Sequence, residues 1–251
     1  MKKLICTITI FLWAFPFFVV SQSSVTSQAR QFYEDGQILQ DKQEWYSAIE
    51  KYQETLRLNP AYGEVWYALA ECAYGMGQYS LCITYTNAAE NYIKNTTAIQ
   101  NLRGFALIGL GELEQARVTF LQVLSFYPND IEARFGLAEL DIFDGKYTGA
   151  EKYYQDALQR QGKNRKALLS LALISNELGK KEATQRYLDQ ALSYHSGDPE
   201  VHYFAGYVAA LQGKYDTAEK HIRTAILLKG DYVDAYSLLA GILFEKQEYQ
   251  N

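Results

Sequence analysis

The residues that could do chemistry are few, and their spacing matches no catalytic or metal site. The histidines are His195, His202 and His221, whose spacing differs from that of zinc ligands, and no cysteine pair joins them. Acidic pairs such as Glu34 and Asp35 lie in hydrophilic stretches, where carboxylates are usually solvated. The sequence has no glycine-rich phosphate loop, nucleophile elbow or HExxH motif. We therefore expect neither enzymatic activity, nor a cofactor, nor a bound metal.

The composition is that of a folded, mildly acidic protein. Of the 251 residues, 48% are hydrophobic and 21% are charged, which argues against intrinsic disorder. The formal net charge is −5, and the sequence has no basic cluster that could neutralise a phosphate backbone. Nucleic acid is therefore not an expected partner.

The first 21 residues have the three-part order of a secretory signal peptide. Lys2 and Lys3 precede an apolar run over residues 4–20, and the small Ser21 is followed by a polar stretch from Gln22. We expect residues 1–21 to be a cleaved signal and residues 22–28 to be a short linker. Export would place the chain in the periplasm or cell envelope. An uncleaved signal would instead anchor it in the inner membrane, which is the only membrane association we expect.

A period of 34 residues runs through the rest of the chain. Five glycines recur at this interval without a gap: Gly77, Gly111, Gly145, Gly179 and Gly213. With these glycines at position 15 of a repeat, the chain contains six complete repeats. Repeats 1 to 6 are residues 29–62, 63–96, 97–130, 131–164, 165–198 and 199–232. Residues 233–251 are then the first helix of a seventh repeat or a capping helix.

Each repeat has the pattern of two amphipathic helices. Apolar residues recur every three or four residues over positions 1–14 and 17–30. Position 8 is always glycine or alanine, position 20 is small, and position 24 is bulky in five of the six repeats. The glycine at position 15 ends the first helix in a left-handed turn. Small residues at positions 8 and 20 let the paired helices approach closely.

This pattern resembles the tetratricopeptide repeat family. The resemblance is clearest in Trp66-Tyr67-Ala68-Leu69-Ala70, which matches the opening of the motif, and in Gly145-Lys146-Tyr147-Thr148-Gly149-Ala150, which matches its turn. It covers residues 29–251. The resemblance implies an all-α fold, a right-handed α-solenoid of 34-residue helix-turn-helix repeats. It is specific for the fold and unspecific for the partner.

The family resemblance also implies a concave groove lined by the first helices, in which ligands meet positions 2, 5, 9, 12 and 13. An aromatic lining with scattered carboxylates would suit a peptide segment or helix of a partner protein. The alternative is that some of these rings pack between neighbouring first helices. The predicted groove residues are Tyr33, Tyr67, Glu71, Tyr74, Asn101, Phe105, Phe135, Glu139, Phe143, Tyr203 and Tyr207.

Two cysteines follow the predicted signal, and both fall in repeat 2. Cys72 is at position 10 and Cys82 at position 20, so they lie on the two helices of one hairpin at about the same distance from the turn. Export would permit a disulfide between them. Because position 20 is a buried site for small residues, two packed thiols are the alternative.

The resulting hypothesis is a scaffold for protein–protein interaction, acting in the cell envelope. Two alternatives stay open. The sequence could be the N-terminal, substrate-recruiting region of a longer exported enzyme or assembly factor, or the repeats could self-associate. The sequence does not show whether the natural chain continues past Asn251.

Overall fold

The structure, a computed structural model, describes residues 15–94 and 97–248, with side chains described over 26–94 and 97–246. Every regular element in these ranges is an α-helix, so the predicted all-α class is confirmed. The chain forms two compact units, unit 1 (Met1–Asp130) and unit 2 (Ile131–Asn251).

Unit 1 contains the helices of repeats 1 to 3. Within its described residues these are α1 (Phe15–Asp41), α2 (Trp45–Leu58), α3 (Gly63–Gly75), α4 (Tyr79–Glu90), α5 (Thr97–Gly109) and α6 (Leu113–Phe126). The first helices of successive hairpins are in contact, α1 with α3 and α3 with α5. Each hairpin therefore buries its apolar face partly against the next one, as expected for stacked repeats.

Unit 2 contains the helices of repeats 4 to 6 and one helix more. Within its described residues these are α7 (Ile131–Phe143), α8 (Tyr147–Arg160), α9 (Arg165–Glu177), α10 (Lys181–Tyr194), α11 (Pro199–Leu211), α12 (Tyr215–Leu228) and α13 (Val233–Glu248). From α2 to α13, every helix begins at position 1 or 17 of the 34-residue frame.

The turn inside each hairpin depends on a left-handed residue at position 15. The five glycines found from the sequence have φ between 69° and 78°. In repeat 1 the same position is Gln43, which has φ 61° although it is not a glycine. The Glu44 N–H donates to the Leu39 carbonyl at 2.9 Å and so closes the end of α1, as in the glycine turns. Repeat 1 thus adopts the common turn with a strained residue.

Close helix approach at position 8 is confirmed. A Cβ atom on Gly36 would lie 2.5 Å from the Tyr52 ring, and one on Gly104 would lie 2.5 Å from the Phe120 ring. On Gly206 it would lie 2.6 Å from Ile222. Tyr52, Phe120 and Ile222 are the bulky residues at position 24 of the same repeats, so the small and large residues of each hairpin pack against each other.

The predicted signal peptide lies mostly outside the described residues. Helix α1 begins at Phe15 and continues without a break past the predicted cleavage point after Ser21. Over the part of the chain that was searched, no helix combines the length and the apolar character needed to span a bilayer. Cleavage of residues 1–21 stays a prediction.

Candidate functional site

Unit 1 has a cleft of about 590 Å³ between α1 and α3. This volume is in the range of ligand pockets in general, roughly 300–1,000 Å³. Tyr33 and Tyr67, both at position 5 and both half-buried, contribute aromatic rings to its wall. The other lining residues are Glu34, Gln37, Ile38, Gln40, Asp41, Tyr52, Glu64, Ala68, Glu71 and Ile93. The cleft is therefore built from the groove positions of repeats 1 and 2.

The side of the cleft nearest α2 is fixed by a chain of hydrogen bonds. The buried Tyr52 donates its hydroxyl hydrogen to Gln40 Oε1 at 2.7 Å. Gln40 Nε2 in turn donates to Glu71 Oε2 at 3.0 Å. A residue from the second helix of the hairpin thus orients a carboxylate on α3. A carboxylate held in this way is ordered before any ligand arrives, which lowers the entropic cost of binding.

The cleft carries more negative than positive charge. Glu34 forms an ion pair with Arg30 at 2.8 Å. Within the described side chains no ion pair is formed by Asp41, Glu64 or Glu71. Burial raises the pKa of Tyr33, and the nearby Tyr62, Glu64 and Glu71 raise it further. The carboxylates therefore create a negative potential at the aromatic wall, a potential that favours a cationic group.

In unit 2 the corresponding positions of repeats 4 and 5 are filled by the protein itself. Phe135, at position 5, is 1% exposed and packs on Tyr154 with ring centroids 5.3 Å apart. Lys166 Nζ lies 5.0 Å from the centroid of the Phe135 ring. The same ammonium forms an ion pair with Glu139 Oε1 at 2.9 Å. A lysine of the chain therefore lies between an aromatic ring and a carboxylate on this face.

Comparison with known proteins finds similarity to tetratricopeptide repeat proteins in sequence and in fold. Residues 33–81 match the sequence profile described as tetratricopeptide repeat. The fold is similar to that of a thermophilic TPR protein in Thermus thermophilus, with a TM-score of 0.65 and 17% identity over 72% of this chain and 99% of that one. Residues 33–81 are thus similar to the tetratricopeptide repeat, and the fold is that of known tetratricopeptide repeat proteins.

Other likenesses are consistent with the α-solenoid class. PilW, described as a widely conserved type IV pilus biogenesis factor, has a TM-score of 0.66 at 17% identity over 86% of this chain and 98% of its own. A chain of the APC/C hetero-tetramer Cut9–Hcn1 has a TM-score of 0.69 at 16% identity over 89% of this chain. This protein spans only 46% of the length of that chain. Likenesses at such identities show the fold alone.

Residues 104–223 match the profile described as coatomer epsilon subunit, which covers parts of both units. Comparison with curated protein sequences finds no match.

Two of the predicted groove residues are buried within their repeats, and this corrects the prediction that they line an open groove. Phe135 is one of them. The other is Asn101, which is 5% exposed and whose Nδ2 donates to Asp130 Oδ1 at 2.9 Å. Both are at position 5, where a side chain can turn towards its own repeat. Phe135 is buried against Tyr154 of α8, and Asn101 against Asp130, so each packs within its own repeat rather than between neighbouring first helices.

The remaining predicted residues divide between packing and exposure. Tyr74 lies 5.6 Å from the Tyr79 ring, and Phe105 lies 5.1 Å from the Phe120 ring. Tyr203 and Tyr207 form a stacked pair with centroids 6.5 Å apart. Phe143 is 65% exposed. The structure brings Tyr33, Tyr67 and Glu71 together in the cleft and does not bring the others to it.

Cys72 and Cys82 are free thiols, and both are fully buried. The structure therefore has the packed-thiol arrangement and no disulfide between them. Burial raises the pKa of each thiol to about 12, and Glu71 contributes to the rise in both. Such thiols are protonated at neutral pH and react slowly.

Two of the three histidines, His202 and His221, lie next to each other. His202 Nδ1 lies 3.4 Å from His221 Nδ1, and His202 Nε2 lies 3.0 Å from the carbonyl oxygen of Ser196. Burial lowers the pKa of His221, and His202 and Lys220 lower it further. In the searched part of the chain, no group of three or more histidine, cysteine or acidic side chains is placed to hold a metal.

The polar side of the cleft is formed largely by residues outside the predicted groove set. Asp41 and Glu64 occupy groove positions 13 and 2, and Gln40 occupies position 12, but the predicted set omitted all three. The sequence does contain an indication of this polar side. Position 2 is the acidic Glu64 in repeat 2 and the basic Lys166 in repeat 5, so the charge at this position is reversed.

Proposed function

We propose that this chain is a protein-interaction scaffold that holds an extended segment of another protein in the cleft of unit 1. Tetratricopeptide repeats generally mediate protein–protein interaction, and the aromatic and carboxylate lining of this cleft is the observation that supports the proposal most. Tyrosine rings offer a large apolar contact area together with a polar hydroxyl group. An extended segment can lie across α1 and α3 and contact both position-5 rings.

The proposal is for a binding protein rather than an enzyme. The proposal is supported by the surroundings of the two cysteines and of the histidines His202 and His221, which do not favour nucleophilic attack or proton transfer. The cysteines are held protonated by burial, and the two close histidines are partnered with each other and with a backbone carbonyl. The scaffold would therefore act by bringing proteins together.

The proposed place of action is the cell envelope. The support is the N-terminal order of two lysines, an apolar run and a small residue before Gln22. Fractionation of cells, followed by N-terminal sequencing of the purified protein, tests this proposal. A mature chain beginning at Gln22 in the periplasm is expected. An intact N-terminus in the membrane fraction would indicate the anchored alternative, and an intact chain in the cytosol would contradict both.

A site-specific crosslink in living cells tests the cleft. A photoreactive residue is introduced as Tyr67→p-benzoylphenylalanine, and the matched control is Tyr46→p-benzoylphenylalanine on α2. Tyr46 is 74% exposed and lies outside the cleft. We expect discrete crosslinked proteins from the position of Tyr67 and none of the same bands from that of Tyr46. The same bands from both positions, or none from either, would contradict binding in the cleft.

A further inference from the structure

Unit 2 contains an internal example of cation recognition on its first helices. The Lys166 ammonium, from the first turn of α9, lies over the Phe135 ring and pairs with Glu139, both of which are on α7. An ammonium over an aromatic face gains from the ring quadrupole, and a carboxylate beside it adds a charge-assisted hydrogen bond. The face of repeats 4 and 5 thus satisfies a cation that the chain supplies.

Repeats 1 and 2 keep the aromatic pair of this face but not the lysine or its carboxylate partner, because position 9 of repeat 1 is Gln37 where repeat 4 has Glu139. Tyr33 is at the position of Phe135, and it packs on Tyr52 with ring centroids 5.9 Å apart. Tyr52 is at the position of Tyr154, on which Phe135 packs. The position of Lys166 is taken by Glu64, which lines the cleft. The ring is therefore kept, while the chain's own cation is exchanged for an acidic side chain.

The electrostatics of the cleft require a positive occupant. Asp41, Glu64 and Glu71 have no basic partner within the described side chains. A neutral segment that covers them would desolvate carboxylates without pairing them, and an acidic segment would be repelled. Because no group of three acidic or histidine side chains in the searched residues is placed to hold a metal, a bare metal ion does not fit this requirement.

We propose that the unit 1 cleft binds a lysine or arginine side chain of an extended segment of a partner protein. The cation lies against the Tyr33 ring of α1 and pairs with Glu64 and Glu71 of α3, whereas the carboxylate that pairs with Lys166 in unit 2 is on the same helix as Phe135. Gln40 holds Glu71 in position through its hydrogen bond. This inference rests on the proposed function of the cleft and names the chemistry of the segment that it takes.

Selection from a displayed library of random peptides, with the purified full chain as bait, tests this chemistry. The selected peptides are resynthesised with a fluorescent label and, in parallel, with each lysine or arginine replaced by norleucine. Binding is measured by fluorescence anisotropy for the native chain and for Glu64→Gln/Glu71→Gln. The matched control is Glu132→Gln/Glu139→Gln, which removes the same charge at positions 2 and 9 of repeat 4. Circular dichroism checks that both variants are folded.

We expect the selected peptides to contain lysine or arginine. Their dissociation constants should rise roughly tenfold or more with Glu64→Gln/Glu71→Gln or with norleucine, and less than about twofold with the unit 2 control. Binding should also weaken as salt concentration rises. Equal losses from both double variants, or unchanged binding of the norleucine peptides, would overturn the inference.

A further variant separates this inference from the proposed function. If the selected peptides lack basic residues but lose affinity with Tyr67→Ala, the cleft binds peptides and only the cationic chemistry is wrong. If no selected peptide is affected by Tyr67→Ala, both the cleft function and the inference fail. Glu64→Lys adds a direct check: it places a lysine at the position of Lys166, so it should fill the cleft from within and abolish binding.

Discussion

The first two hairpins of unit 1 and the first two of unit 2 differ in the exposure of the side chains at position 5. In repeats 4 and 5, position 5 is occupied by Phe135 and Leu169, which are 1% and 4% exposed. In repeats 1 and 2 it is occupied by Tyr33 and Tyr67, which are half-buried and line a cleft. The difference shows that the repeat frame determines the position of a residue on its helix, whereas the neighbouring residues determine whether its side chain is buried or exposed.

The largest expected effect comes from truncating position 5 in each unit. Phe135→Ala removes a buried ring and should reduce the free energy of unfolding by about 3–5 kcal/mol. Tyr67→Ala removes a half-exposed ring and should cost about 1 kcal/mol or less. Urea unfolding of each variant, followed by far-ultraviolet circular dichroism, measures both. A similar decrease in the free energy of unfolding for the two variants would contradict the assignment of Phe135 to the core and of Tyr67 to a binding surface.

An intermediate effect is expected at the turns, where repeats 1 and 5 differ. Gln43 has φ 61° and Gly179 has φ 69°, so one left-handed turn is strained and the other is not. Gln43→Gly should stabilise the protein by about 1 kcal/mol, and the reverse change Gly179→Gln should destabilise it by a similar amount. Tryptophan fluorescence during unfolding reports the change in unit 1, because both tryptophans beyond the predicted signal, Trp45 and Trp66, lie there. If Gln43→Gly leaves the unfolding midpoint unchanged, the turn of repeat 1 is not strained.

The smallest expected effect is a pH dependence confined to unit 2, since all three histidines lie there. The pKa of His221 is lowered below its ordinary value of 6.5 in the folded protein, so the unfolded chain binds the proton more readily. The contribution of His221 to stability is therefore fully present above pH 6.5 and is lost as the pH decreases below that value. Hydrogen exchange at about pH 7.5 and about pH 5.5, corrected for the intrinsic exchange rate, should show lower protection of α11 and α12 at the acidic pH. His221→Gln should remove most of the difference, and an equal loss of protection in unit 1 would contradict its origin.

Much of the fold could be predicted from the sequence because the repeat is a local, periodic feature. The glycine interval placed the helix ends, and the small residues at position 8 predicted the close approach that Gly36, Gly104 and Gly206 show. The candidate site was less predictable. Phe135 and Tyr33 share a position and an aromatic character, yet only Tyr33 lines a cleft. The Phe135 ring is in contact with Lys166, which lies 31 residues away in the sequence.

The sequence by itself determined the all-α class and the hairpin frame, since each depends on residues within a single 34-residue period. The tertiary structure alone decided which groove residues are available. Asn101 is turned towards Asp130, Cys72 and Cys82 remain separate thiols, and Glu71 is held by Gln40 of the preceding repeat. The physical reason is that exposure and charge pairing are set by contacts between repeats, where one lysine or glutamate decides whether a face is closed or open.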